Sequence, residues 1–362
     1  MALQLDLGGS ERQLTEIAKA LPRDLFTPRV GTFRPGGLRW RELEAAGIAP
    51  VCFSIETATD PTGLVRIARY IHRHSIRLFH GFDGPASFYG VVAARLARTD
   101  VVLSSQRGHR SLFPGWFRHV CRIVDSLADG IVVNCEFVSR HLITDERIAP
   151  SRIHRCYNGI DVRTFRPEPR SRPQPLAGAP LVIGAVAVLR PEKGLGILLD
   201  AFALIRGRCP GIKLAIVGSG SCLPELAARA RTLGILDDCV FQPATADVPA
   251  WLHGIDIFVL PSLTEAFSNS LMEAMACGCC VVASRVGGNP EIVSDGETGL
   301  LFEPGDYRAL AAILSRLIDE PSRRERLACR AALHIDANFR VENSVRCMVD
   351  IYRRFLEDRV SI

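Results

Sequence analysis

One rhythm constrains this chain more than any other feature: short, wholly apolar runs alternate with longer amphipathic ones. In the second half "PLVIGAVAVL" is followed by "GLGILLDAFALIRGR", "IKLAIVGSG" by "CLPELAARARTLGI", and "DIFVLPS" and "CCVVASR" flank another apolar helix. Strands apolar on both faces, each followed by a helix, predict a parallel sheet covered on both sides. The first half repeats the pattern in "SIRLFHG", "ASFYGVVAARLAR", "TDVVLSS" and "GIVVNCE". At 362 residues the chain is too long for one ordinary core. Charge divides it as well. Residues 1–170 hold 24 Lys and Arg against 17 Asp and Glu, and the remaining 192 hold 20 against 22. Between the halves lies "RPEPRSRPQPLAGAP", residues 166–180, whose prolines can continue neither a helix nor a central strand and predict a linker.

The expectation is therefore an α/β protein of two Rossmann-like domains, residues 1–170 and 181–339, with parallel sheets facing across a cleft. With 48% hydrophobic and 23% charged residues the composition is that of a soluble globular protein. No apolar run reaches the roughly 18 residues of a membrane span, and "MALQLDLGGSERQ" lacks a signal-peptide pattern. Of the 12 cysteines, Cys277, Cys279 and Cys280 crowd into "CGCC" ahead of an apolar strand, with no His near them in sequence. They read as small buried residues rather than metal ligands, which predicts reduced thiols and a cytoplasmic location.

Sheets of this kind bind ligands beyond the carboxyl ends of their strands, so the informative residues follow strands. After "AVAVL" come Arg190 and Lys193, a planar fork and a mobile point charge suited to a diphosphate. After "KLAIV" come Gly218 and Gly220, which permit close backbone approach or simply a tight turn. In "PSLTEAFSNSLMEAMACG" two carboxylates, Glu265 and Glu273, bracket a small polar loop that opens a helix. Ser270 and Glu273 match a capping box. Alternatively the N–H groups of Asn269, Ser270 and Leu271 hold an anion, while Glu273 accepts from ribose hydroxyls and Glu265 faces a second polyol. Ribose, diphosphate and polyol together describe a nucleotide-sugar.

Taken in order, Glu265 and Glu273 with "LRPEKG", "VGSG", "VGGNPEIVSDGETGLLFEPGD", "LGGSERQL" and "CYNGIDVRTFRP" give a sequence that resembles the family-four retaining glycosyltransferases of the GT-B fold over nearly its whole length. The resemblance implies transfer of a sugar from a UDP- or GDP-sugar to a glycan or lipid-linked acceptor in polysaccharide or glycolipid biosynthesis. It implies that Arg190 and Lys193 hold the donor diphosphate, Glu273 the ribose and Glu265 the donor sugar. Gly8 and Gly9 approach the phosphates from the first domain, and the last helix, within 340–362, packs back on that domain. The implied mechanism is attack on the face the leaving group departs from, with the leaving phosphate taking the proton. No D-x-D carboxylate pair occurs, so no metal and no cofactor beyond the donor is expected; nor is a nucleic-acid partner. The alternative is a degenerate GT-B protein that binds a nucleotide-sugar or glycan without transfer.

Two departures from the family stand out. Only "MALQLDL" precedes Gly8, so the first strand of the first domain is expected to be short or missing. Many members also carry a catalytic histidine after the strand matching "DVVLSS". Here Gln106, Arg107, Gly108 and His109 stand there, leaving His109, His80 or no residue as base and Arg107 as a group that assists the acceptor. Beyond that strand, "RGHRSLFPGWFRHVCRIVDSL" mixes Arg107, Arg110, Arg118 and Arg122 with Phe113, Trp116 and Phe117. It reads either as a helix packed on its sheet or as a peripheral contact with an anionic membrane at its inner face.

Overall fold

The computed structural model describes residues 1–6, 8–56, 60–82, 84–110, 113–169 and 171–360. It divides into two compact units: Met1–Gly159 with the chain from Val341 onward, and Ile160–Arg340.

The second unit has the more regular sheet. Its strands are β7 (Val182–Val186), β8 (Lys213–Val217), β9 (Cys239–Gln242), β10 (Ile257–Leu260), β11 (Cys280–Ser284) and β12 (Leu300–Phe302). All are parallel, in the order β12-β11-β10-β7-β8-β9. Counted from β7, that is the doubly wound 3-2-1-4-5-6 order, which reverses direction between β7 and β10. The helices are α7 (Leu195–Ile205), α8 (Leu223–Thr232), α9 (Val248–Gly254), α10 (Asn269–Ala276), α11 (Asn289–Ile292), α12 (Tyr307–Asp319) and α13 (Pro321–Asn338). Phe202, Leu198 and Leu199 of α7 and Leu310, Leu314 and Leu317 of α12 are buried in one core with Ile183, Leu214 and Val259 of the strands. Burial on both faces is why these strands read as unbroken apolar runs.

The first unit is interrupted. A four-stranded parallel sheet runs β3 (Leu78–Gly81), β4 (Val101–Gln106), β5 (Gly130–Val133), β6 (Ile153–Arg155). A separate parallel pair joins β1 (Gly31–Thr32) to β2 (Val51–Cys52). The opening residues lie between the two: the Met1 amino group donates to the His80 carbonyl (2.7 Å), Phe82 N–H to the Met1 carbonyl (2.9 Å) and Ala2 N–H to the Gly31 carbonyl (3.1 Å). The helices are α1 (Gly9–Ala20), α2 (Leu38–Ala45), α3 (Pro61–Arg73), α4 (Gly84–Leu96), α5 (Gly115–Leu127), α6 (Glu136–Thr144) and α14 (Val341–Val360). α14 belongs to this unit through a Tyr352–His80 hydrogen bond (2.8 Å) and a Cys156–Ser344 contact (3.4 Å to the carbonyl).

The proline-rich stretch is a correction to the expected linker. The change of unit falls at Gly159 and Ile160, ahead of it. Residues 171–180 lie on the second sheet instead. Arg172 pairs with Asp256 (2.9 Å), whose carboxylate also accepts from Val182 N–H (2.7 Å), and Leu176 is fully buried. Prolines stop regular pairing, yet an irregular chain can still be fastened by side chains. The three clustered cysteines are buried, and burial pushes the Cys277 thiol up to about 12.

Candidate functional site

The two chain segments that meet at the switch point of the second sheet follow β7 and β10. After β7 a single 3-10 turn, Pro191–Lys193, points its lysine at the loop after β10. Lys193 Nζ lies 2.6 Å from Glu265 Oε2, and both side chains are largely buried. Glu265 Oε2 also accepts from Ser262 Oγ (3.3 Å), and the Ser262 carbonyl accepts from Ser284 Oγ of β11 (2.6 Å). Main chain fixes the same geometry: Leu263 N–H donates to the Glu192 carbonyl (2.8 Å), tying the two loops together. Arg190, the other predicted cation, is mostly exposed and lies 3.9 Å from Glu192.

Glycines let these loops approach. A Cβ on Gly287 would lie 1.8 Å from the Glu265 carbonyl oxygen, and Gly287 holds φ +55°, which side chains rarely adopt. Gly288 N–H then closes on the Ala266 carbonyl (2.7 Å). Gly218 and Gly220 also sit at close approaches, but to the chain itself. A Cβ on either would strike the Ala187 or Leu189 carbonyl, at 1.8 and 2.3 Å. They seat the β8 turn beneath the loop that carries Arg190. Ser262, Ser284 and Gly287 are positioning residues that sequence reasoning missed, although the "VGGN" glycines were a visible sign of a tight approach.

The start of α10 is capped two residues earlier than expected. The N-cap is Ser268, whose Oγ accepts from Leu271 N–H (3.3 Å); Ser270 lies inside the first turn, 3.3 Å from Ser268 Oγ. The capping box of Ser270 with Glu273 is thus overturned, because the third residue after the cap is Leu271. Leu271 N–H is committed to the cap, so of the three donors expected to face an anion only those of Asn269 and Ser270 lie at the tip. Glu273 is 3% exposed, one turn further in. A carboxylate that buried requires partners, and Glu273 has one within the chain.

In the first unit Gly8 is the N-cap of α1 and gives it no side-chain cap, and Gly9 opens the helix. The Glu11 carboxylate folds over this end, 2.0 Å from where a Gly8 Cβ would stand. His80 is buried between Tyr352 Oη and Ser105 Oγ, both at 2.8 Å. Burial, the Met1 ammonium and the Arg107 cation hold it well below the ordinary histidine value. Both ring nitrogens are engaged, which makes His80 a structural residue. His109 stacks on His141 (3.8 Å between centroids) and Phe137, and burial lowers its pKa. Arg107 donates to Asn158 Oδ1 (2.8 Å) and lies over Phe82.

The basic aromatic segment is corrected in part. Arg110, expected at a membrane surface, is 1% exposed and pairs with Asp125 (2.5 Å) and Glu146 (3.6 Å). Arg122 pairs with the same Glu146 (2.8 Å). Trp116 is 67% exposed and Arg118 is exposed. Among the described residues no helix is long and apolar enough to cross a membrane.

Comparison with known proteins supplies the context. Residues 168–334 match the family "Glycosyl transferases group 1" and residues 7–164 "Glycosyltransferase Family 4". A D-inositol 3-phosphate glycosyltransferase of Mycobacterium marinum is 33% identical over 248 residues, 66% of this chain and 52% of that protein. The chain therefore spans about half the length of such relatives. A GDP-mannose-dependent alpha-(1-6)-phosphatidylinositol monomannoside mannosyltransferase of Mycolicibacterium smegmatis is 32% identical over 290 residues, 73% of each chain. Among solved structures, Anabaena HepE in complex with UDP-glucose superposes with a TM-score of 0.81 at 25% identity, covering 100% of this chain and 99% of that one. A sucrose-phosphate synthase from Thermosynechococcus elongatus shares the fold at 19% identity, with a TM-score of 0.80 over 99% of both chains.

Proposed function

The chain belongs to the group 1 and family 4 glycosyltransferases, of GT-B fold, and on that premise we propose that it transfers a hexosyl group from a nucleoside-diphosphate sugar to a glycan or lipid-linked acceptor. The observation that carries the proposal is the Lys193–Glu265 pair at the switch point between β7 and β10. A lysine held by a carboxylate is a charge that an incoming diphosphate competes for. When Lys193 turns to the phosphate, Glu265 is released to accept from donor-sugar hydroxyls. Arg190, exposed on the same loop, supplies the second cation. The Asn269 and Ser270 N–H groups at the start of α10 add a partial positive charge. Together these groups would stabilise the charge that grows on the departing diphosphate.

Buried Glu273 is assigned the ribose. Gly8 and Gly9 are assigned to the donor phosphates, which requires Glu11 to turn aside. Gly218 and Gly220 act by seating the Arg190 loop. No general base is assigned, because both nitrogens of His80 are engaged and His109 is stacked on His141; the leaving phosphate is the proton acceptor in this proposal. No metal ion is invoked.

UDP and GDP are the bases to test first, since HepE was solved with UDP-glucose and the mannosyltransferase relative is named as GDP-mannose-dependent. The test is thermal protection by UDP, GDP and their sugars, followed by a transfer assay with the protecting donor. A ligand at 100 times its Kd stabilises by about 2.7 kcal/mol, which a melting curve resolves. Glu273→Gln should weaken nucleotide binding with little change in the ligand-free melting temperature. No protection by any nucleoside diphosphate would remove the donor reading. Protection without transfer or donor hydrolysis would favour a binding protein.

A peripheral membrane contact is proposed on narrower ground than the sequence offered, through Trp116 and Arg118 on α5. Flotation with anionic vesicles at low salt tests it: the wild type should float and Trp116→Ala with Arg118→Glu should not. Equal behaviour of the two removes the contact.

A further inference from the structure

Two free thiols of the first unit meet where α14 passes the end of β6, and the donor site uses neither. Cys156 directly follows β6 and is 1% exposed, whereas Cys347, three residues beyond Ser344 on α14, is only half-buried. Their contacts are reciprocal. Cys156 Sγ lies 3.4 Å from the Ser344 carbonyl and 3.7 Å from its Oγ, while Cys347 Sγ lies 3.4 Å from the Arg155 carbonyl. Ser344 Oγ also donates to the Tyr157 carbonyl (2.8 Å), which holds this turn of α14 against residues 155–157. In that setting the Cys156 thiol hydrogen-bonds the Cys347 sulfur.

The two sulfurs are not equivalent. The hydrogen bond from Cys156, helped by the Arg155 and Arg354 cations, brings the Cys347 thiol down to about 7, against burial and the Asp350 carboxylate. Much of Cys347 is thus thiolate at neutral pH, the form that attacks a disulfide. Cys156 is pushed up by that same bond, by burial and by the Cys347 charge, with the Ser344 hydroxyl and the Arg107 cation opposing. The accessible sulfur is the nucleophile and the buried one keeps the proton. Capping Cys347 reverses this order. A sulfur within a disulfide carries no charge and accepts hydrogen bonds weakly. Both contributions from Cys347 then lapse, while Ser344 and Arg107 remain to favour a thiolate at Cys156.

We propose that Cys347 is a modification site for low-molecular-weight disulfides, with Cys156 as its resolving thiol. The Cys347 thiolate attacks one sulfur of the small disulfide. A bond forms between them, the small molecule's own S–S bond breaks, and its other half leaves as a thiolate that takes a proton from water. The Cys156 sulfur then attacks Cys347 Sγ and expels the second half, which carries away the Cys156 proton. Two protein thiols are oxidised and one small disulfide is reduced to two thiols. The product fastens α14 to the end of β6 and closes residues 157–346 into a loop that contains the whole second unit. In a reducing compartment the pair rests as thiols and oxidises transiently. The inference is independent of the donor-site proposal.

Glutathione disulfide added to the full chain at pH 7 tests it, read by intact mass and by peptide mapping without reduction. The chain should lose the mass of two hydrogen atoms and retain no glutathione. One cross-linked peptide pair holding Cys156 and Cys347 should appear before the exposed Cys329 of α13 is modified. Cys156→Ser should instead keep one glutathione on Cys347, and Cys347→Ser should leave Cys156 unmodified. Alkylation by iodoacetamide needs no variant: the Cys347 rate should reach its midpoint near pH 7 and level off by about pH 8, where an ordinary thiol at about 8.5 is still gaining. The cross-link should slow exchange of the α14 amides at least tenfold. Glutathione kept on Cys347 in the wild-type chain, Cys329 reacting first, a Cys347 rate still rising through pH 8.5, or α14 exchange unchanged by the cross-link would each overturn the proposal.

Discussion

The two units are built to the same plan and differ in how their sheets are completed. In the second, six strands pair in an unbroken parallel series, and the loops at its switch point are held by main-chain contacts: Leu263 on Glu192, Gly288 on Ala266, Cys222 on Leu189. In the first, residues 1–3 link a pair of strands to a sheet of four, and side chains hold much of what backbone does not. Arg110 spans Gln106, Asp125 and Glu146; Gln13 exchanges two hydrogen bonds with Gly159; His80 joins Ser105 to Tyr352. Backbone contacts depend on glycine and tolerate changes of side chain, whereas polar side-chain links fail when one partner is lost. The units should therefore break differently.

The largest effect is expected in the first unit. Arg110→Met removes the cation shared by Asp125 and Glu146, and an orphaned buried partner costs about 3–5 kcal/mol. Exchange should accelerate in residues 100–150 and stay unchanged in the second unit. Uniform acceleration through both units would erase the contrast.

Lys193→Ala should act chiefly on chemistry. Loss of one preorganised group costs about 2–4 kcal/mol in the transition state, read as kcat/KM for transfer, while the melting temperature falls only as far as the loss of the Glu265 partner dictates and the second unit stays folded. Wild-type turnover would sink the phosphate assignment.

Gly287→Ala should combine both effects. The strain of a side chain at φ +55° against the Glu265 carbonyl costs about 1–3 kcal/mol, and donor affinity should fall as Glu265 shifts. A fall in stability with unchanged affinity would separate the fold from the site.

Acidification should act most gradually, spread over more than two pH units. His80 is held well below its ordinary value, and burial with the neighbouring Arg354 holds His154 at about 4; both lie in the first unit. Each stays neutral in the folded chain while the unfolded chain binds a proton below about pH 6.5. Stability is thus fully present above pH 6.5 and is lost as pH falls toward 4, by at most about 1.4 kcal/mol per pH unit for each group. Exchange as a function of pH should show the first unit loosening before the second. The second unit opening first would reverse the comparison.

These contrasts also explain what could be read from the chain. Parallel strands buried on both faces are legible because every side chain along them must be apolar, as in β7, β10 and β11. Such sheets offer ligands their strand ends, which pointed to the segments after β7 and β10, and there Lys193 meets Glu265 while Arg190 stays exposed. The cap of α10 was misplaced because "SNS" offers two equivalent serines, and only tertiary packing decides that the chain enters the helix at Ser268. Arg110 was misread for a related reason. Arginine is usually exposed, and its burial depends on Asp125 and Glu146, 15 and 36 positions away, arriving beside it through the fold. The tie of Arg172 to Asp256 is longer still, at 84 positions.

The Tyr352–His80 hydrogen bond spans 272 positions and encloses the whole second unit. During synthesis at roughly 5–20 residues per second, His80 leaves the ribosome on the order of tens of seconds before its partner exists. The second unit needs nothing outside residues 160–340 for its own sheet and can close while translation continues. The unit made first is thus completed last, when α14 arrives, and through that interval its face beneath α14, including Val101, Leu103 and Val132, awaits its cover. A nascent chain of this design is a client for chaperones at its amino-terminal half, and a ribosome stalled after residue 340 would display a finished domain attached to an unfinished one.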